Sequence, residues 1–153
     1  MTALVFPGQG SQFVGMAKDF FDEFAVARET FDQIEEFSKI NIRDIIFENK
    51  SKLLDITQYT QLAIFCSSIS IFNVLIKEIG REKLSINYSL GHSLGEYSAL
   101  VSSKVLSIKD CSRLLKFRGE IMQNAYEKNM SGMAAIIGID CKNLETIIVE
   151  NKL

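Results

Sequence analysis

The stretch that decides the fold is Ser85-Ile86-Asn87-Tyr88-Ser89-Leu90-Gly91-His92-Ser93-Leu94-Gly95-Glu96-Tyr97. Residues 85–90 read as a short strand, and residues 94–102 as a helix. Between them Gly91-His92-Ser93-Leu94-Gly95 has the Gly-x-Ser-x-Gly form of a nucleophile elbow. The pattern has a physical reason. A serine that stands clear of a sheet needs a sharp, strained turn, and a Cβ at either flanking position would strike neighbouring backbone. The helix that follows directs its N-terminal N–H groups at the serine, which favours developing negative charge. Ser93 is therefore the candidate nucleophile. The competing structural reading is a chance match in a loop, and the strand before and helix after weigh against it.

Upstream, residues 3–6 form a continuous apolar run stopped by Pro7-Gly8, which suits a buried parallel strand. Phe20, Phe24, Phe31, Ile34 and Phe37 recur at helical spacing, so a helix or a broken pair covers about 16–38. Ile42–Phe47 reads as a short amphipathic helix, and Thr60 as the cap of a long apolar helix closed by Gly80. Downstream, Ser107-Ile108-Lys109-Asp110 resembles a capping box for a helix to about residue 126. A third strand is expected over 133–139, with Asp140 capping a last helix. Strands alternate with helices, so the class is α/β. Two strands alone make a poor sheet and the third opens a unit without a partner, so an incomplete polypeptide is expected.

The bulk numbers exclude several functions. With 47% hydrophobic and 24% charged residues, the 153-residue chain is globular rather than disordered. A net charge of −2 offers no electrostatic footprint for nucleic acid. Cys66, Cys111 and Cys141 lie far apart and match no metal-ligand spacing, so no metal is expected and reduced thiols fit best. The N-terminus has no basic segment ahead of its short apolar run, and residues 62–76 are too short and too serine-rich for a membrane span. No membrane partner is expected, and the cytoplasm is the default location.

Two further features bear on chemistry. Gly8-Gln9-Gly10-Ser11-Gln12 follows the first strand but fits neither a dinucleotide fingerprint nor a phosphate loop. Its exposed backbone N–H groups could complete an oxyanion hole, or it is a plain tight turn. Arg118 suits a carboxylate, although on its own it reads better as a solvated surface residue pairing with Glu120 or a neighbour. Gly119 beside it is costly in a helix interior, which points to close approach of another element. His92 is the only histidine. Adjacent residues on a tight turn project apart, so it is not the general base for Ser93.

These motifs occur together and in order. Val5-Phe6-Pro7-Gly8-Gln9-Gly10-Ser11-Gln12, Thr60-Gln61, the elbow through Tyr97, Arg118-Gly119 with Met122-Gln123, and Met133-Ala134-Ala135-Ile136-Ile137-Gly138 together resemble the malonyl-CoA:acyl carrier protein transacylase family. The resemblance covers the whole chain. It implies an α/β-hydrolase-like parallel-sheet fold over 1–128, incomplete, and the start of a ferredoxin-like small subdomain over 129–153. It implies malonyl transfer from malonyl-CoA to acyl carrier protein through Ser93, with backbone N–H groups of Gln9 and Leu94 as oxyanion hole. Arg118 matches the arginine that holds the malonyl carboxylate. No cofactor is implied beyond malonyl-CoA as substrate. The family's catalytic histidine and a later glutamine have no counterpart here, and the family often has proline where this chain has Leu62. Two other readings use the same residues. One is a serine hydrolase or thioesterase that passes the acyl group to water; the other is a truncated, inactive chain that acts at most as a binding subunit.

Overall fold

The computed structural model describes residues 1–125 and 136–151. The elements run β1 (Thr2–Phe6), α1 (Lys18–Glu23), α2 (Ala25–Ser38), α3 (Ile42–Phe47), a 3-10 turn (Leu53–Asp55), α4 (Thr57–Ile79), α5 (Arg81–Leu84), β2 (Ile86–Gly91), α6 (Gly95–Ser102), α7 (Ile108–Gln123) and α8 (Cys141–Asn151). Among the described residues β1 and β2 make one two-stranded parallel sheet, with Val5 opposite Leu90 and Phe6 opposite Gly91. The architecture is mixed α/β, mostly helical, with a small parallel sheet.

Helix α4 is the axis of the core. Its residues Thr60 through Ser67 are all buried, so it is enclosed on every side, as an all-round apolar helix must be. By length and hydropathy it could cross a membrane, but here it is a core helix packed on α2, α3, α6 and α7. Phe31, Ile34, Ile46, Phe65, Ile69 and Leu115 meet around it. Arg43 ties α3 to α2, its backbone N–H and its Nε each donating to the Glu35 carboxylate at 2.9 Å. The Cys66 and Cys111 thiols lie in this core, where burial pushes Cys111 up to about 12 and Cys66 well above its ordinary value.

Local expectations hold with specific exceptions. The broken helical pair over 16–38 divides at Phe24, whose extended backbone both ends α1 and opens α2. The Ser107 hydroxyl accepts from the Asp110 N–H at 3.0 Å and caps α7, and Asp140 likewise accepts from the Asn143 N–H at 2.9 Å. Thr60 is not a cap. Helix α4 begins three residues earlier, at Thr57, and the buried Thr60 hydroxyl donates to the carbonyls of Leu54 at 2.6 Å and Ile56 at 3.0 Å. The strand expected over 133–139 lies partly outside the described residues. Its described part, 136–139, is not a strand: it pairs with nothing among the described residues, and Ile137 is 92% exposed. A strand needs a neighbour for its backbone groups, and apolar sequence alone does not provide one.

Candidate active site

The elbow is built by mutual exclusion of side chains. Ser93 sits in the left-handed region at φ 52°, a conformation that costs a non-glycine residue roughly 1–3 kcal/mol and persists only when neighbours enforce it. They do so here. A Cβ on Gly91 would fall 1.9 Å from the Gly95 carbonyl carbon, and one on Gly95 would fall 2.3 Å from the Phe6 oxygen. The turn is therefore closed onto the end of β1. The His92 N–H donates to the Phe6 carbonyl at 3.1 Å, carrying the parallel ladder one step past β2. The Gly95 N–H returns to the His92 carbonyl at 2.9 Å and starts α6.

The first glycine loop lies against this turn. A Cβ at Gly8 would meet both the His92 carbonyl oxygen and its Nδ1 at 2.6 Å. The His92 ring thus packs over Gly8, and its side chain forms no hydrogen bond to Ser93 among the described residues. Gln9 is anchored from the other side, its Nε2 donating to Thr57 Oγ1 at 3.0 Å at the start of α4. Leu94 is buried under the elbow at the N-terminus of α6. Among the described residues the backbone N–H groups of Gln9 and Leu94 reach no protein acceptor.

Arg118 reaches the same spot from α7. Its Nη2 donates to Ser93 Oγ at 3.2 Å, its Nη1 donates to Gln61 Oε1, and its guanidinium lies 5.5 Å from the Tyr97 ring centre. It is half-buried and is not the solvated partner of Glu120. Gly119 explains how α7 comes so close. A Cβ there would lie 2.8 Å from the Gln58 carbonyl oxygen, so the two helices touch backbone to backbone one turn before Gln61.

Four elements thus converge on Ser93 Oγ: β2 and α6 through the elbow, α7 through Arg118, and the loop after β1. An exposed hydroxyl, a cation within hydrogen-bond distance and two free backbone donors beside the turn suit acyl transfer from an anionic acyl group. Among the described residues no cluster of His, Cys, Asp and Glu is arranged to hold a metal ion. Sequence reasoning gave roles to Ser93, Leu94, Gln9 and Arg118, while Gln61 and Tyr97 lay within the quoted motifs without one. The signals were a glutamine inside an apolar helix and an aromatic one turn after the serine.

The model of the acyl transferase domain family matches residues 3–149. The chain belongs to that family. As an acyl transferase domain it is 38% identical over 145 residues to the malonyl CoA-acyl carrier protein transacylase of Bacillus subtilis strain 168, covering 95% of this chain and 44% of that one. It is 38% identical over 138 residues to the Haemophilus influenzae transacylase, covering 90% of this chain and 44% of the relative. Among solved structures, the domain matches acyl-carrier-protein-S-malonyltransferase from Bartonella henselae at TM-score 0.86 and 38% identity, covering 99% of this chain and 49% of that one. It also matches a malonyl-transacylase solved with its type II PKS acyl-carrier protein, at TM-score 0.85 and 34% identity, covering 97% and 47%. The resemblance read from the sequence is borne out by these relatives. The chain spans about half the length of the curated relatives it matches, or less.

Proposed function

We propose that this acyl transferase domain carries the nucleophile and carboxylate-binding half of a malonyl-CoA:acyl carrier protein transacylase. The observation that carries the reading is the 3.2 Å contact between Arg118 Nη2 and Ser93 Oγ. A malonyl group is short, with only its methylene between the thioester carbonyl carbon and the carboxylate carbon. A guanidinium beside the serine can therefore hold the carboxylate while the serine oxygen meets the carbonyl. Arg118 Nη2 engages a lone pair of Ser93 Oγ. An incoming carboxylate competes for Nη2 and releases that lone pair for attack.

The reaction is ping-pong. Ser93 Oγ attacks the malonyl-CoA thioester carbon and loses its proton, the tetrahedral oxyanion forms, and the C–S bond breaks to release CoA as the thiol. The phosphopantetheine thiol of acyl carrier protein then attacks the malonyl-serine ester and regenerates Ser93. The N–H groups of Gln9 and Leu94 face the oxyanion, and each such donor is worth roughly 3 kcal/mol in comparable sites. The proton acceptor is not His92; the reading assigns it to a histidine outside these 153 residues. Acyl transfer between sulfur and oxygen calls on no metal or redox cofactor. The reading extends to an α/β-hydrolase-like subdomain over 1–128, a ferredoxin-like one beginning at 129, and a cytoplasmic setting.

The test is intact-mass measurement after incubation with malonyl-CoA. A single malonyl adduct is expected on an enzyme that carries this domain together with the family's histidine, none on its Ser93→Ala variant, and no acetyl adduct of matching yield from acetyl-CoA. An adduct of undiminished yield on Ser93→Ala removes the assignment. Free malonate released without acyl carrier protein moves it to a hydrolase.

A further inference from the structure

We propose that Gln61 is the positioning residue that makes Arg118 a carboxylate receptor, holding the guanidinium in place while leaving its charge available. The inference rests on the reading of Arg118 given above. Glutamine is a side-chain type that seldom lies fully inside a protein, yet Gln61 is completely buried on α4. Burying its amide unpaired would be costly, so the partners it has are informative. Its Oε1 accepts from Arg118 Nη1, and its Nε2 donates to Met122 Sδ at 3.2 Å. Arginine has donors only, so the amide has one workable orientation, with oxygen toward Arg118 and nitrogen toward the weak sulfur acceptor. Both contacts fall on α7, on successive turns, and both depend on the close α4–α7 approach at Gly119 and Gln58.

The choice of a neutral acceptor matters. Among the described residues Arg118 forms no ion pair, in contrast to Arg43, which is matched by Asp32 and Glu35. A carboxylate at position 61 would hold Arg118 equally well but would neutralise it. An amide oxygen fixes Nη1 and leaves the charge for a ligand. The ring of Tyr97 restrains the guanidinium as well without cancelling its charge. Nη2 then projects at Ser93 Oγ, where the carboxylate of a short acyl chain would enter.

The experiment compares calorimetric titrations of the chain with malonyl-CoA and with acetyl-CoA. Gln61→Leu, close in volume and without the acceptor, should weaken malonyl-CoA about 10-fold and leave acetyl-CoA within about 2-fold. Gln61→Glu should weaken malonyl-CoA at least as much, because the guanidinium is held but neutralised. The Arg118 Nε–H resonance should stay sharp in Gln61→Glu and exchange-broaden in Gln61→Leu, a readout that needs no ligand. Gln61→Leu that lowers affinity for both ligands equally, or that leaves the malonyl preference intact, overturns the inference. Arg118→Ala separates the two levels: if it leaves the preference unchanged, or if the wild-type chain has none, the reading of Arg118 fails and the inference with it. If Arg118→Ala abolishes the preference and Gln61→Leu does not, only the inference fails.

Discussion

The helical body around α4 and the pair of strands beside it are built to different standards. In the body, Phe31, Phe65, Ile34, Leu62 and Leu115 are fully enclosed. On the sheet, Val5 is 72% exposed, Tyr88 57% and Leu90 54%, although all three are strand residues that a covered sheet would bury. Helix α8 resembles the sheet in this respect, with no buried residue and with Ile147, Ile148 and Val149 turned outward. The candidate site lies on the border. Arg118 and Gln61 belong to the enclosed body, whereas Ser93 belongs to the open sheet. The contrast teaches that the residues proposed to bear specificity sit in the enclosed part of the described structure, while the proposed nucleophile rides on strands that two helices and one loop hold.

Thiol chemistry should give the widest contrast. Cys66 and Cys111 are buried and their burial disfavours the thiolate, the reactive form, whereas Cys141 is exposed on α8. Labelling with a neutral disulfide reagent at pH 8 should modify Cys141 first, with Cys66 and Cys111 slower by at least about a thousandfold because they react only through unfolding. Equal rates for the three would mean that the body is no better ordered than the tail. Next in size, Phe65→Ala should cost about 3–5 kcal/mol in urea denaturation, as a fully enclosed aromatic does. A loss under 1 kcal/mol would show that α4 is not the axis of the core. Smallest is Val5→Thr, a polar swap that keeps the β-branch on an exposed strand face. It should stay within about 0.5 kcal/mol of wild type in the same assay. A large loss there would mean that the sheet face is covered in solution.

The fold was legible wherever a signal was local. The elbow, both strands and the Ser107 and Asp140 caps all follow from a few neighbouring residues, whereas the helical span over 16–38 was legible but its break at Phe24, one of the residues at helical spacing, was not. Thr60 misled because a threonine hydroxyl near a helix start can cap the N–H groups ahead of it or bond to carbonyls behind it. Burial against the turn Leu53–Asp55 decides for the second. The described part of the strand expected over 133–139, residues 136–139, misled because pairing is not local. Within the site, Ser93 was readable from the elbow, whereas Leu94 came only from what the family resemblance implies. Gly119 was readable as a point of close approach, but the identity of its neighbour, Gln58, was not. Gln61 stayed hidden for the same reason. A polar residue in an apolar helix announces that it has a partner, and only the crossing of α4 and α7 names it.

The tight closure of Gly91, Gly95 and Gly8 around Ser93 has a consequence for how such a site could change its substrate. A turn in which a single added carbon would overlap three stretches of backbone has no slack, so it cannot widen or tilt to suit a different acyl group. Adaptability must then reside in side chains that approach the serine from outside the turn. Redesign for a new acyl chain would accordingly start on the facing turns of α4 and α7 and leave the elbow untouched, because the reacting atom stays fixed while the walls around it are exchanged.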